Sequence, residues 1–557
     1  MSDAGAFRLA STITWILAAI FFALTVFLAI VMPIHAADAL TFGEWSRLIG
    51  EDWNFHDPAV TPQEYGRPLF YVLQGWLWAL VGFGEPSGRI LSGLFSVLLL
   101  AALVWLVRGR RWGVAAGGLV ALFLLATPSY AGHVISGLTD IPVAALVAVA
   151  GALLWRVPAG RVRTVGVTVA ACLAMLAKPS ALPALLGLGL AQLLFAEPWR
   201  DRLLFRIGPL ASGLGIALAY DAVQADNADQ GLAEFLRAGV DTAYYRELAA
   251  DARRFVLLDA GWLGGALRVV VVFALVYAAA RIVGARHRIA AAVGVPAALL
   301  WSWLGPWLAT RESEVTVGSL ASVTDGLTAL AAATLLAFAL LEQDGAPTRL
   351  ELGRLAVWAA PTFATWALYG AYDLRLLAPA WPPLLVLVAL ASLPAAVALG
   401  RRGAVAAAIP FAVLAVAVAN NIENLDGLGE AGWGEVRRTP ASEWLDRDTM
   451  RATVLPAFSR ALIVTRRETD DDDRVFSSEG AFRFFYPGRT EQSFPVQCSD
   501  LEGYRVFVMS TDQGSRDYME RFLHVSGDPA WWGRCERPRL TQLTDASEGY
   551  AVFRVES

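Results

Sequence analysis

Runs of about twenty apolar residues recur along most of this chain, each long enough to cross the hydrocarbon core of a bilayer as a helix. They fall near residues 9–33, 87–107, 112–130, 136–156, 162–177, 179–196, 203–221, 262–283, 288–309, 316–341, 354–371, 374–398 and 403–420. About thirteen spans result, and a chain of this pattern folds as a polytopic α-helical membrane protein. Composition agrees. Of 557 residues, 56% are hydrophobic and 17% charged, where a soluble domain has about a quarter charged. That excludes a soluble cytoplasmic enzyme and a disordered chain, and three cysteines do not make a disulfide scaffold. A net charge of −5 gives no electrostatic reason to expect a nucleic-acid partner.

Arginine placement sets the orientation. Alternate connections are basic: Arg108, Arg110 and Arg111; Arg156, Arg161 and Arg163; Arg200, Arg202 and Arg206; Arg281, Arg286 and Arg288; Arg349 and Arg354; Arg401 and Arg402. Placing all six on the cytoplasmic side puts the N-terminus inside and, with an odd number of spans, the C-terminus outside. No small-residue cleavage site ends the first run, so it is expected to remain as a membrane anchor.

Three segments depart from the span-and-loop pattern. Residues 34–86 form a long, amphipathic first external loop. Within 222–261, Leu232, Phe235, Leu236, Val240 and Tyr244 recur at helical spacing and predict a helix lying in the external interface. Residues 421–557 leave the membrane pattern, with strand-like runs at 504–509 and 550–555, and are expected to form a soluble α/β domain. Residues 1–420 then make the membrane domain. Cys498 and Cys535 both lie in the tail, on the oxidising side, so a disulfide is expected, whereas Cys172 within a span is a packing residue.

Charges out of keeping with their surroundings gather on one predicted face. Asp38 follows the first span, Arg67 opens an apolar stretch of the first loop, and Asp140 begins the fourth span. Lys178, the one lysine of the chain, separates the fifth and sixth, and Arg375 begins the twelfth. Ionisable groups at such depths are costly and usually face a cavity or a partner. Two carboxylates and three cations beneath the outer rim suit an anionic headgroup with an acid or base beside it.

The motifs around these residues resemble the GT-C membrane glycosyltransferases, in the branch of protein O-mannosyltransferases and the aminoarabinose transferase acting on lipid A. The resemblance covers about residues 9–420. It rests on Asp38-Ala-Leu-Thr-Phe42 with Ser46-Arg47, on Arg67-Pro68 before Leu69-Phe70-Tyr71, and on the glycine-rich approach to Arg89. Thr139-Asp140-Ile-Pro142, Lys178-Pro179 and Leu374-Arg375-Leu-Leu-Ala-Pro379 complete it. Where the family has an acidic pair after the first span, this chain has Asp38-Ala39; many relatives have Lys at the position of Arg67, and Leu376 replaces the usual aromatic.

The resemblance implies a sugar transferred from a polyprenyl-phosphate donor to an acceptor on the outer face, by a single inverting displacement. A carboxylate takes the acceptor proton, and fixed cations receive the charge of the departing phosphate. Asp38 is the candidate base, with Asp140 the second catalytic candidate. Arg67, Lys178, Arg375 and Arg89 are candidates for the lipid phosphate, and Glu64, His133 and Tyr130 for acceptor binding or support. The acceptor is a glycolipid, a cell-wall glycan or a protein hydroxyl, and the location a bacterial inner membrane with the tail domain periplasmic. No fixed cofactor is implied; a divalent cation on the phosphate is left open.

Each candidate has a structural alternative. Asp38 can cap an interfacial helix, Asp140 can be the N-cap of its span, Lys178-Pro179 can mark a tight interhelical turn, and Arg375 can pair with Asp373. Glu44 competes as base and otherwise sits on a solvated face. The four aspartates at 470–473 read as a solvated loop, because the ligand spacing of a calcium loop is absent. The competing functional class is a secondary transporter or lipid flippase, which commonly shows repeated halves and mid-membrane polar groups. No repeat is apparent here, and the polar set lies at one face.

Overall fold

The computed structural model describes residues 3–31, 37–51, 68–82, 85–109, 112–125, 127, 130, 132–134, 137, 139–195, 203–225, 265–310, 346–368, 374–400, 436, 438–478, 482, 485, 486, 489–492, 495–511, 519, 520, 526–545 and 549–556. The apolar runs become helices: α1 (Asp3–Val31), α4 (Glu85–Arg108), α5 (Gly113–Leu125), α6 (Asp140–Arg156), α7 (Arg161–Ala177) and α8 (Ala181–Phe195). After them come α9 (Gly208–Ala225), α10 (Gly265–Ile282), α11 (His287–Thr310), α12 (Arg349–Leu368) and α13 (Trp381–Gly400). A π turn (Leu203–Ile207) leads into α9 and a 3₁₀ segment (Leu374–Ala380) into α13. The expected spans at 316–341 and 403–420 and most of the interfacial helix at 222–261 lie outside the described residues.

Three stretches among the described residues are long and apolar enough to cross a membrane: Arg89–Arg108, Leu203–Tyr220 and Leu377–Ala395. The helices pack α4 on α6, α6 on α7, α7 on α9, α8 on α12 and α10 on α11. Small residues line the interior, Ala144, Ala145, Ala148 and Ala152 of α6 being fully buried, while Leu94, Leu194 and Leu204 are 59%, 61% and 66% exposed. Such an apolar exterior is unfavourable in water and is what a helix facing lipid tails requires.

The first loop contains two helices, α2 (Ala37–Glu51) and α3 (Pro68–Val81), packed on each other. They touch through glycines: a Cβ on Gly50 would lie 2.3 Å from the Gly75 carbonyl oxygen. Ser46 Oγ donates to Gln74 Oε1 at 3.2 Å, and Trp45 meets Tyr71 edge-on at 5.5 Å.

The tail carries α14 (Arg447–Val454) and α15 (Pro456–Glu468) beside a five-stranded sheet of order β2-β1-β3-β5-β4. Its strands are β1 (Val475–Ser477), β2 (Thr490–Gln492), β3 (Val506–Ser510), β4 (Arg539–Gln542) and β5 (Tyr550–Glu556). β1 runs parallel to β2 and β3, whereas β5 is antiparallel to β3 and β4. Period-two alternation divides the side chains. Val506, Val508 and Val552 join Phe458 and Leu462 of α15 in one core, and Phe507, Met509 and Phe553 join Trp532 in another. The expected disulfide is present, Cys498 to Cys535, against that second core. The aspartate run forms a turn in which Asp470 N–H donates to Asp473 Oδ2 at 2.9 Å. Beside it, burial and a hydrogen bond to Glu491 push the Tyr504 phenol up to about 12.

Candidate active site

The bundle has two chemically different ends, and α6 joins them. It begins at Asp140 and finishes at Arg156, about 25 Å apart at the rise of an α-helix.

The Asp140 end is fixed by local sequence. Gly137, at φ 71°, takes a left-handed conformation that suits glycine and donates its N–H to the His133 carbonyl at 3.1 Å. Thr139, the N-cap of α6, makes no side-chain cap bond, so Asp140 is the first helical residue rather than the cap. Its charge lies where the helix dipole favours an anion. Opposite it, α7 stops at Ala177, because the pyrrolidine of Pro179 disfavours the helical region for the residue before it. Lys178 is accordingly extended, at φ −167° and ψ 133°. From there Lys178 Nζ reaches Asp140 Oδ1 at 2.8 Å, with side chains 16% and 1% exposed.

Aromatic residues on the segment before α6 meet Trp381 at the start of α13. The His133 ring stacks on Trp381 at 5.5 Å with planes 21° apart, and Tyr130 approaches the same indole edge-on at 6.5 Å. The Tyr130 hydroxyl is hydrogen-bonded to Ser96 of α4, and all four residues are buried. The 3₁₀ segment carrying Arg375 packs against α6 and α8, and Trp381 follows it directly.

The rim above belongs to the end of α1. The last carbonyls of a helix have no intrahelical partner, and two arginines meet those of α1. Arg89 of α4 donates to the Ala29 carbonyl oxygen, and Arg447 of α14 to those of Ile30 and Val31. Trp444 adds an edge contact to Phe27 at 5.4 Å. The tail thus seats on the end of the helix that precedes Asp38. Ser96 lies seven residues into α4 from Arg89, about 10 Å deeper.

The structure therefore brings Asp140, Lys178, Tyr130 and His133 to one end of the bundle and puts Arg89 at its rim. Asp38 falls in the first turn of α2 and Arg375 in the 3₁₀ segment. Arg67, Glu64 and the side chains of Asp38, Glu44 and Arg375 lie outside the described residues, as does Asp373. Sequence reasoning missed Trp381 and Ser96. The Trp381-Pro-Pro run directly after Pro379 was the available signal for the first; the second reads as an ordinary span serine. Among the described residues no three His, Cys, Asp or Glu side chains are grouped to hold a metal ion.

No family model matches the chain, and no curated protein does. Solved structures are similar to it over nearly their whole length or its own. ArnT from Cupriavidus metallidurans bound to undecaprenyl phosphate is 14% identical, with 97% of each chain covered and a TM-score of 0.46. Its apo state is 15% identical at the same coverage and score. The archaeal oligosaccharyltransferase AglB from Archaeoglobus fulgidus, in complex with an inhibitory peptide and a dolichol-phosphate, is 12% identical, with 98% of this chain and 74% of that chain covered and a TM-score of 0.45.

Proposed function

We propose that this chain is a glycosyltransferase of the inner membrane. It moves a sugar from a polyprenyl-phosphate donor to an acceptor at the outer face, with inversion at the anomeric carbon. The observation that carries the reading is the Asp140–Lys178 pair, with Asp140 buried and Lys178 partly so, at the end of the bundle opposite Arg108 and Arg156, with the Arg375 segment packed on α6. Charges in such a setting are costly even when they pair with each other, and they mark substrate or ion pathways.

Each residue type fits a step. Asp38 accepts the proton of the acceptor hydroxyl or amine as its heteroatom forms the bond to the anomeric carbon. The bond from that carbon to the phosphate oxygen breaks, and its electron pair leaves with the lipid phosphate. Arg67, Arg375 and Lys178 receive the charge, and Arg89 borders the entrance. The ammonium of Lys178 has three donors, one of them directed at Asp140, so Asp140 orients Lys178 toward the phosphate. The stacked His133 and Trp381 rings offer an apolar face to the sugar or the first isoprene unit.

The test uses the full-length protein in proteoliposomes and reads free polyprenyl phosphate released from a labelled sugar donor, alongside mass spectrometry of surface glycans. Asp38→Asn should bind donor lipid but lower turnover at least 100-fold, the usual scale for a general base. Lys178→Ala and Arg375→Ala should weaken donor-lipid binding. Full turnover in Asp38→Asn removes the base, and movement of intact donor without cleavage identifies a flippase.

A further inference from the structure

The exposed residues of α1 mark the side of this expected span that faces lipid tails. Ile16, Ile20, Ala23 and Ile30 are exposed, and at about 100° per residue they all fall within about 40° of Ile16 around the helix axis. The buried Ala18, Thr25 and Ala29 lie on the opposite side. Phe27 belongs to the exposed stripe by the same spacing, and it is the residue that Trp444 of the tail meets, edge-on at 5.4 Å. Trp444 therefore packs on the lipid-facing side of α1, about 6 Å along the axis from its last residue, Val31.

The tail segment that makes this contact is held in shape by its own bonds. Trp444 Nε1 donates to the carbonyls of Val436 and Thr439 at 3.1 and 3.0 Å, so the indole is fixed from the tail side. Asp446 caps α14, its carboxylate accepting from the Asp448 N–H at 3.1 Å and from the Thr449 hydroxyl at 2.8 Å. Arg447, the first residue of α14, then reaches the Val31 carbonyl at 3.3 Å. Between these two contacts lies Leu445, 70% exposed. A leucine held outward at the depth of a span's last turn meets the boundary of headgroups and acyl chains, where tryptophan is also favoured. Glu443 and Asp446 on either side of it are exposed acids, so apolar contact rather than attraction to anionic headgroups draws the segment in.

We infer that the segment 444–447 anchors the tail in the bilayer surface. Leu445 enters the acyl boundary of the leaflet at the end of α1, and the partner is a lipid surface with no requirement for anionic headgroups. The inference does not depend on the glycosyl-transfer reading.

The experiment takes the full-length protein in phosphatidylcholine vesicles, with the free Cys172 replaced by serine, and labels Leu445→Cys or Val496→Cys with a thiol-reactive fluorophore. Val496 is the matched control. It is 69% exposed and lies two residues before Cys498, which packs on the sheet face away from α15. Intact mass verifies one label per chain with the Cys498–Cys535 disulfide kept. The vesicles carry lipid with a nitroxide either near the headgroup end of the acyl chain or near its methyl end. The label at 445 should lose most of its emission to the shallow nitroxide and less to the deep one, while the label at 496 should keep its emission with both. Undiminished emission at 445, or equal loss at the two positions, overturns the anchor. Stronger quenching at 445 by the deep nitroxide overturns its placement at the acyl boundary.

Discussion

The bundle and the tail treat charge in opposite ways. In the bundle, large apolar side chains face outward and the Asp140–Lys178 pair is buried, with Asp140 1% exposed. In the tail, the aromatic and aliphatic residues are inside and ion pairs decorate the surface, as between Arg474 and Glu491, at 56% and 49% exposure. Removing one partner therefore means different things in the two regions. Inside the bundle it strands a charge in a poorly solvated place; on the tail water takes over the vacated bond.

The largest effect should follow Lys178→Met. It removes the ion-pair partner of the buried Asp140 carboxylate and should cost about 3–5 kcal/mol, read as thermal unfolding in detergent. The double variant Asp140→Asn, Lys178→Met removes both charges and should recover most of that stability without recovering donor binding. If the single variant unfolds at the wild-type temperature, the pair is solvated and the contrast with the tail fails.

This pair also marks how far the sequence could be read. The lone lysine, its position before Pro179, and Asp140 after Thr139 all pointed to one face. Pairing itself was not legible, because residues 38 positions apart meet only once α6, α7 and α8 are packed. Helix positions were legible because hydrophobic runs report burial in lipid directly. The exceptions are local: the run at 374–398 begins as a 3₁₀ segment around Pro379, and the amphipathic loop at 34–86 contains two helices held by Gly50 and Gly75. Close approach of backbones depends on what a partner lacks, and a sequence pattern for one helix does not contain that. His133 was a candidate for acceptor binding or support, and only the arrival of Trp381 from more than two hundred residues away gives it a stacking partner.

An intermediate effect should come from the disulfide. Cys498 and Cys535 are 37 residues apart, and closing a loop of that size stabilises by about 2–4 kcal/mol in the chain-entropy description. The double serine variant should lose amide protection in β3 and β5 by hydrogen exchange while α6 and α8 keep theirs. Among the described residues Arg447 and Trp444 join the tail to α1, whereas the disulfide lies against the other face of the sheet, so local opening there need not propagate. Equal loss of protection in α6 would merge the two regions into one cooperative unit.

The smallest effect should follow Glu468→Gln, which is also the sharpest control for Lys178→Met. Arg554 directs Nε and Nη2 at the same Glu468 oxygen, at 2.8 and 2.6 Å, so by distance this contact equals the bundle pair. Its surroundings differ: the Arg554 side chain is 35% exposed and that of Glu468 15%. Water reaches the guanidinium, and the amide of the variant still accepts one of its hydrogen bonds. The expected cost is about 0–1 kcal/mol, falling further as salt is raised, since screening acts on exposed charges. Lys178→Met should show little salt dependence. Comparable losses in the two variants, or the same response to salt, would mean that burial does not decide what a 2.8 Å ion pair contributes here.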